Sequence, residues 1–173
     1  EPRDYDFVLE AGRERVEPLL APYAPGRNSF GGWKVKLDGR EIDLWSVSET
    51  WALNQPGAPP ARIENLPRAF LYSVDTLFYS VNTGRITENG FFDSFRDGEI
   101  RFISPYVRIP FRLPVVRGLR LARRYGLRLS PEIVEFIRSS GVRFSDFALG
   151  VPRAGEPDLS EEDVRRLLPE PVA

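Results

Sequence analysis

Two carboxylates, Asp4 and Asp6, flank a single residue in Arg3-Asp4-Tyr5-Asp6-Phe7-Val8-Leu9. In a strand the side-chain period is two, so both acids point to one face while Tyr5 and Phe7 point to the other. Acids about 6–7 Å apart along one strand face repel each other until a cation or a proton lies between them. An all-oxygen donor set suits Mg2+ or Mn2+. Taken alone, the pair reads equally well as two solvated acids on an edge strand. A third carboxylate, Asp43, interrupts the apolar run of Glu41-Ile42-Asp43-Leu44-Trp45. An acid there is either on a solvated face or aimed at a cation. Three convergent carboxylates can hold two divalent ions, which clamp a nucleoside triphosphate and lower the pKa of an attacking hydroxyl.

Composition narrows the chemistry further. The chain has 173 residues, 42% hydrophobic and 28% charged, enough for one globular domain with a full core and a short appendage. Cys and His are absent, which removes disulfides, thiol nucleophiles, thiolate metal sites and His-based triads. Carboxylates, Arg, Lys, hydroxyls and a bound metal are left to do any chemistry. Of the 24 basic residues, two are Lys34 and Lys36 and the other 22 are Arg. From Arg101 to Arg143 ten Arg face only Glu132 and Glu135, a local excess of eight positive charges within a chain of net charge −1. Such an excess attracts polyanions, although Arg stems packed along helix surfaces would look the same. No stretch approaches a membrane span and no export signal opens the chain, so a soluble, unexported, cytoplasmic protein is expected. Met is absent even at position 1, which leads to the expectation of a fragment or processed product.

The elements that must position these residues follow from pattern. A strand over 4–9 leads into a helix over 11–20 that Pro18 ends or kinks. Trp33–Leu37, the turn Asp38-Gly39 and Glu41–Trp45 predict a hairpin, with Lys34 and Lys36 on the face opposite Trp33 and Val35. A short helix capped by Ser48 is expected next, then a loop over 55–60. The run 70–81 should hold an irregular start and a strand at 76–81. A turn over 82–84, a short segment at 85–87 and a strand over 99–103 follow. Pro105, Pro110 and Pro114 mark an extended connector, with Pro114 in the first turn of a helix running 115–125 that Gly126 closes. Ser130-Pro131 opens a helix over 132–139, ended by Gly141. Ser160 and Asp163 predict a capping box for a last helix over 161–168.

The succession Arg3-Asp4-Tyr5-Asp6-Phe7, helix, Ser29-Phe30-Gly31-Gly32-Trp33-Lys34-Val35, Glu41-Ile42-Asp43-Leu44-Trp45 resembles the head domain of the poly(A) polymerase and CCA-adding tRNA nucleotidyltransferase family. Thr76–Gly84 is similar to the family's core strand and turn, and Asp93–Arg101 to the segment after it. The run Arg117-Gly118-Leu119-Arg120-Leu121-Ala122-Arg123-Arg124-Tyr125-Gly126-Leu127, then Ser130-Pro131-Glu132, resembles its Arg-rich neck helix and the next helix start. The resemblance spans roughly residues 3 to 138. It implies an α+β fold, a nucleotidyltransferase-like mixed sheet flanked by helices and followed by a small helical neck. The head would occupy 1–104, and the connector with the neck and tail 105–173.

The same resemblance implies that Asp4 and Asp6 bind the catalytic Mg2+ or Mn2+, with Asp43 as the third carboxylate, also metal-binding, that activates the acceptor hydroxyl. Arg117, Arg120 and Lys34 would contact the incoming NTP, and the acceptor would be RNA, a protein or a small molecule. Two departures from the family pattern stand out. The family's phosphate-binding Gly turn, which precedes the first acid, has no counterpart in the three residues before Asp4. The stretch Arg68–Asp75 replaces an Arg-Arg-Asp run, with Asp75 where Asn is usual. Three functions are therefore expected to compete. The first is a metal-dependent nucleotidyltransferase, the second an inactive module of that fold binding nucleotide, RNA or a protein, and the third an Arg-rich RNA-binding accessory domain.

Overall fold

The computed structural model describes residues 4–28, 31–104, 112–139 and 159–168. The chain divides into two compact units, Glu1–Ala69 and Phe70–Ala173.

The first unit is built on a four-stranded mixed sheet. Its strands are β1 (Asp4–Leu9), β2 (Gly26–Arg27), β3 (Trp33–Leu37) and β4 (Arg40–Ser46), in the order β1-β4-β3-β2. The β3–β4 hairpin forms as the alternation predicts, because Asp38 and Gly39 both take positive φ, +49° and +78°, the geometry a two-residue turn of this hand requires. β4 pairs antiparallel with β3 and parallel with β1. A parallel neighbour needs a long crossover, and α1 (Arg13–Leu20) lies in it. Pro18 lies inside α1, and a 3-10 turn at Ala21–Tyr23 follows directly.

One face of the sheet is apolar. Trp33, at 1% exposure, is in register with Leu44, and Leu44 with Phe7; Val35, also buried, is in register with Ile42, and Ile42 with Tyr5. The expected helix at Ser48 is instead two 3-10 turns, Val47–Glu49 and Trp51–Asn54. Ser46 rather than Ser48 precedes the first, and the two hydroxyls bond each other at 2.7 Å. The Ser48 hydroxyl therefore satisfies a neighbour and caps nothing.

The second unit is mainly helical. A 3-10 turn at Ser73–Asp75 is followed by β5 (Phe78–Tyr79) and β6 (Ile86–Thr87), a small antiparallel pair shorter than the expected strand. α2 (Phe91–Asp97) follows where the sequence reading assigned no element, between Gly90 and Gly98, both at positive φ. β7 (Glu99–Ile100) pairs parallel with β8 (Arg128–Leu129), and Phe102 bridges Tyr72. α3 (Arg112–Tyr125) ends at Gly126 as predicted, and α4 (Pro131–Ser139) begins after Ser130. Gly141, with Pro105 and Pro110 of the connector, lies outside the described residues.

α5 (Glu161–Leu167) carries the predicted capping box. Asp163 N–H donates to Ser160 Oγ at 3.1 Å and Ser160 N–H to Asp163 Oδ2 at 3.0 Å. The core of this unit joins Tyr72, Ile100, Val115, Leu119, Ala122 and Ile133, all fully buried. Gly118 belongs to this packing: a Cβ there would lie 2.6 Å from the Tyr72 hydroxyl. No helix among the described residues is long and apolar enough to cross a membrane.

Candidate functional site

The pairing registers set a row of charges on the open face of the first unit. Asp6 on β1 is directly beside Asp43 on β4, and Asp43 is directly opposite Lys34 on β3. Register partners share a face, so Asp6, Asp43 and Lys34 form one line across three strands. Neighbouring strands lie about 4.8 Å apart, close enough for both carboxylates to share one cation. Asp4 is paired with Glu41 through the backbone, and its side chain lies outside the described residues. Arg40, at the hairpin end, donates to the Tyr5 hydroxyl at 2.8 Å and stacks over that ring.

Asp43 is the most sheltered acid in this row, its side chain 16% exposed, whereas Asp6 is exposed. Lys34 Nζ donates to Asp43 Oδ2 at 3.0 Å, and Asn28 Nδ2 makes a longer contact of 3.4 Å to Oδ1. The Lys34 ammonium also lies 3.9 Å from Glu41. The Asn28 side chain is placed by its amide oxygen Oδ1, which accepts from Gly32 N–H at 2.9 Å. Gly32 has no room for a side chain, since a Cβ would lie 2.8 Å from both Asn28 Nδ2 and the Leu44 carbonyl. The Gly31-Gly32 pair thus serves the hairpin entry and the seat of Asn28.

Nothing in the sequence pattern singles out Asn28. The signal available was an amide four residues before a glycine that opens a strand, which is too common to flag. Ser29 and Phe30, between them, lie outside the described residues.

The donor chemistry can be set against a divalent ion. Asp6 and Asp43 offer carboxylate oxygens side by side, the donors a hard cation takes, and the Lys34 ammonium on Asp43 Oδ2 would have to leave that oxygen for a cation to bind there. Among the described residues, no group of three or more acidic side chains is close enough to form a complete metal cage.

The two arginines belong to the second unit. Arg117 and Arg120 are one turn apart on α3 and partly exposed, as helical spacing requires. Arg117 is engaged bidentately by Asp75: Nε donates to Oδ2 at 3.1 Å and Nη2 to Oδ1 at 2.8 Å. The Asp75 side chain is 16% exposed and that of Arg117 42%. In the sequence Asp75 stands out only as an acid where Asn is usual. Its partner is 42 residues away, and no local pattern connects them. Burial raises the pKa of the nearby Tyr72 phenol, with Arg117 pulling it down and Asp75 pushing it up, so the phenol stays protonated.

Neither a family model nor a curated protein matches the chain. Solved structures do. One is a tRNA nucleotidyltransferase complexed with a primer tRNA and an incoming ATP analog, 21% identical, covering 81% of this chain and 42% of that one, with a TM-score of 0.60. A tRNA-processing enzyme in an apo form is 22% identical over 81% of this chain and 40% of that one, TM-score 0.57. The Thermotoga maritima CCA-adding enzyme complexed with tRNA is 17% identical over 81% and 33%, TM-score 0.58. The chain thus spans about two fifths or less of the length of these structures. The likeness establishes the fold, an α+β nucleotidyltransferase-like fold with a mixed sheet and helices.

Proposed function

We propose that the chain is the head and neck, over 1–104 and 105–173, of a metal-dependent nucleotidyltransferase acting in the cytoplasm. A hydroxyl oxygen of the acceptor would attack the α-phosphate of an NTP, forming the new phosphoester bond as the α–β bond breaks and pyrophosphate leaves. The register that sets Asp6 beside Asp43 on adjacent parallel strands carries this reading, within a fold shared with tRNA nucleotidyltransferases. Asp6 and Asp43, with Asp4, would hold Mg2+ or Mn2+. The ion would neutralise triphosphate charge and acidify the attacking hydroxyl.

The chain's own residues do the rest. Asp43, sheltered beside Lys34, would orient the acceptor hydroxyl and accept its proton as the oxygen attacks. Lys34, paired with Asp43, would shift to a phosphate oxygen. Arg117 and Arg120 supply guanidinium contacts to the nucleotide. Catalysis of this kind is positioning plus charge neutralisation and needs no His. RNA is the favoured acceptor, because a matched structure holds a primer tRNA with an ATP analog and the Arg-rich stretch from 101 to 143 suits a polyanion.

The test is transfer of labelled NTP to RNA, protein and small-molecule acceptors with Mg2+ or Mn2+. Asp43→Ala should lower transfer by about 100-fold or more, the scale of losing a group that acts on the reacting atoms. An unchanged rate rejects the reading. A second reading, a nucleotide-binding module without turnover, is favoured by the Lys34–Asp43 pair, in which the acid is already neutralised. It predicts NTP binding by calorimetry with no product formed on any acceptor.

A further inference from the structure

The turn over 72–76 is among the most firmly held backbone in the second unit. Ser73 Oγ lies 2.5 Å from Ser94 Oγ and accepts from Arg101 N–H at 3.0 Å. Thr76 Oγ1 donates toward the Ser73 and Asn89 carbonyls at 2.7 and 3.0 Å, and it accepts from Asn89 N–H at 3.1 Å. Tyr72, Ser73 and Thr76 are fully buried. Asp75 therefore projects from a fixed support, and α3 is fixed against the same turn through the close approach of Gly118 to Tyr72.

Between these two anchors Asp75 binds the Nε–Nη2 edge of Arg117 with both carboxylate oxygens. That edge is one of the two forks with which a guanidinium grips a phosphate bidentately. A carboxylate in that place is a resident anion competing with any phosphate for the same two donors. It also cancels the positive charge that would attract one.

We infer that Asp75 is an intramolecular competitor for the phosphate-binding edge of Arg117, and so sets the strength of triphosphate binding by this chain. The inference rests on the proposed nucleotide-binding role of Arg117 and adds a control on it. Arg117 engages nucleotide through its Nε–Nη2 edge only when the pair opens, so affinity in the unaltered chain is held down by the stability of the pair. Asp75→Asn keeps the shape of the side chain, removes its charge and leaves one acceptor oxygen, which frees the guanidinium edge.

The experiment is calorimetric titration of the full 173-residue chain and its variants with Mg2+-ATP at low salt, with thermal unfolding as a check on folding. Asp75→Asn should bind about tenfold more tightly, the worth of one charge-assisted hydrogen bond removed from competition. Asp75→Ser should shift affinity in the same direction. The gain should vanish in the double variant Asp75→Asn/Arg117→Ala, which gives a coupling between the two positions.

Unchanged or weaker binding by a folded Asp75→Asn overturns the inference. A gain that persists without Arg117 also overturns it, because the effect would then be general charge rather than competition at that edge. In both cases ATP binding itself leaves the proposed function standing. If neither the unaltered chain nor Asp75→Asn binds ATP, the proposed function fails and the inference fails with it.

Discussion

The two units use their side chains in opposite ways. In Glu1–Ala69 the sheet buries one face and leaves the other charged, and its largest buried residue, Trp33, lies beneath two guanidinium groups, Arg13 at 5.6 Å and Arg27 at 5.0 Å. Arg13 in turn is held by Glu49 at 2.9 Å, and Arg27 by Glu17. In Phe70–Ala173 the buried residues form one apolar cluster drawn from α3, α4, β7 and β8, closed by Val164 of α5. A sheet with one open face can present a row of charges in which Lys34 stays solvated and Asp43 is compensated by it. A helical cluster cannot, but it can fix single polar side chains such as Asp75 at its rim. The first arrangement suits a ligand-binding face and the second suits a support.

Large truncations test this contrast most strongly. Trp33→Ala should cost about 3–5 kcal/mol and Leu119→Ala about 2–5 kcal/mol, read from urea unfolding midpoints. Trp33 is in register with Leu44, the residue after Asp43, so its loss should also impair the charged row and any metal-dependent transfer. Leu119, fully buried in the other unit, should cost stability without changing the Lys34–Asp43 pair. A Leu119→Ala penalty below about 1 kcal/mol would show that the helical cluster is not the well-packed support described.

Gly118→Ala probes the same cluster by filling space. Alanine is favoured over glycine inside a helix by about 1 kcal/mol, so an open site would be stabilised. Here the new methyl would lie 2.6 Å from the Tyr72 hydroxyl and 2.9 Å from its ring carbon Cζ, and overpacking of this kind costs about 1–3 kcal/mol. A net loss of about 1–2 kcal/mol is expected. Tyr72→Phe removes the hydroxyl but not the ring, so it should return only part of that loss. A stabilised Gly118→Ala chain would mean that Tyr72 yields, and that the turn beneath Asp75 is not rigid.

How far each unit could be read from sequence follows the same division. The hairpin and its charges were legible because alternation with an Asp-Gly turn fixes both register and face. That is why Lys34 and Asp43 could be assigned to their strands in advance. α3 and the spacing of Arg117 and Arg120 were legible from the 3.6-residue period and Gly126. α2 was not, because Phe91-Phe92-Asp93-Ser94-Phe95 is rich in residues that favour strands, and tertiary contacts with the 73–75 turn and β7 decide otherwise. The Asp75–Arg117 and Asn28–Asp43 pairs were illegible for one reason. They join residues 42 and 15 positions apart, and pairing at that range is set by the fold.

The smallest effect concerns acid. The Ser160 hydroxyl and backbone N–H hold the Asp163 carboxyl below the usual carboxylate range, with Arg123 and Arg166 adding to the shift. Asp97 is held down in the same direction by hydrogen bonds from Arg96 and then Arg101. A carboxyl whose pKa is lowered by folding stabilises the protein above its unfolded value, about 3.9. That contribution is lost as pH falls through the lower folded value. The second unit should therefore lose stability below about pH 4, and Asp163→Asn should flatten this acid limb when midpoints at pH 7 and pH 3 are compared. Ser160→Ala removes the hydroxyl that shifts Asp163 most and costs about 1 kcal/mol at neutral pH as a lost helix cap. It should flatten the limb as well, because one variant removes the titrating carboxyl and the other the hydroxyl that lowers its pKa most. An acid limb left intact by Ser160→Ala would place the shift with the arginines and make the last helix end electrostatic rather than capped.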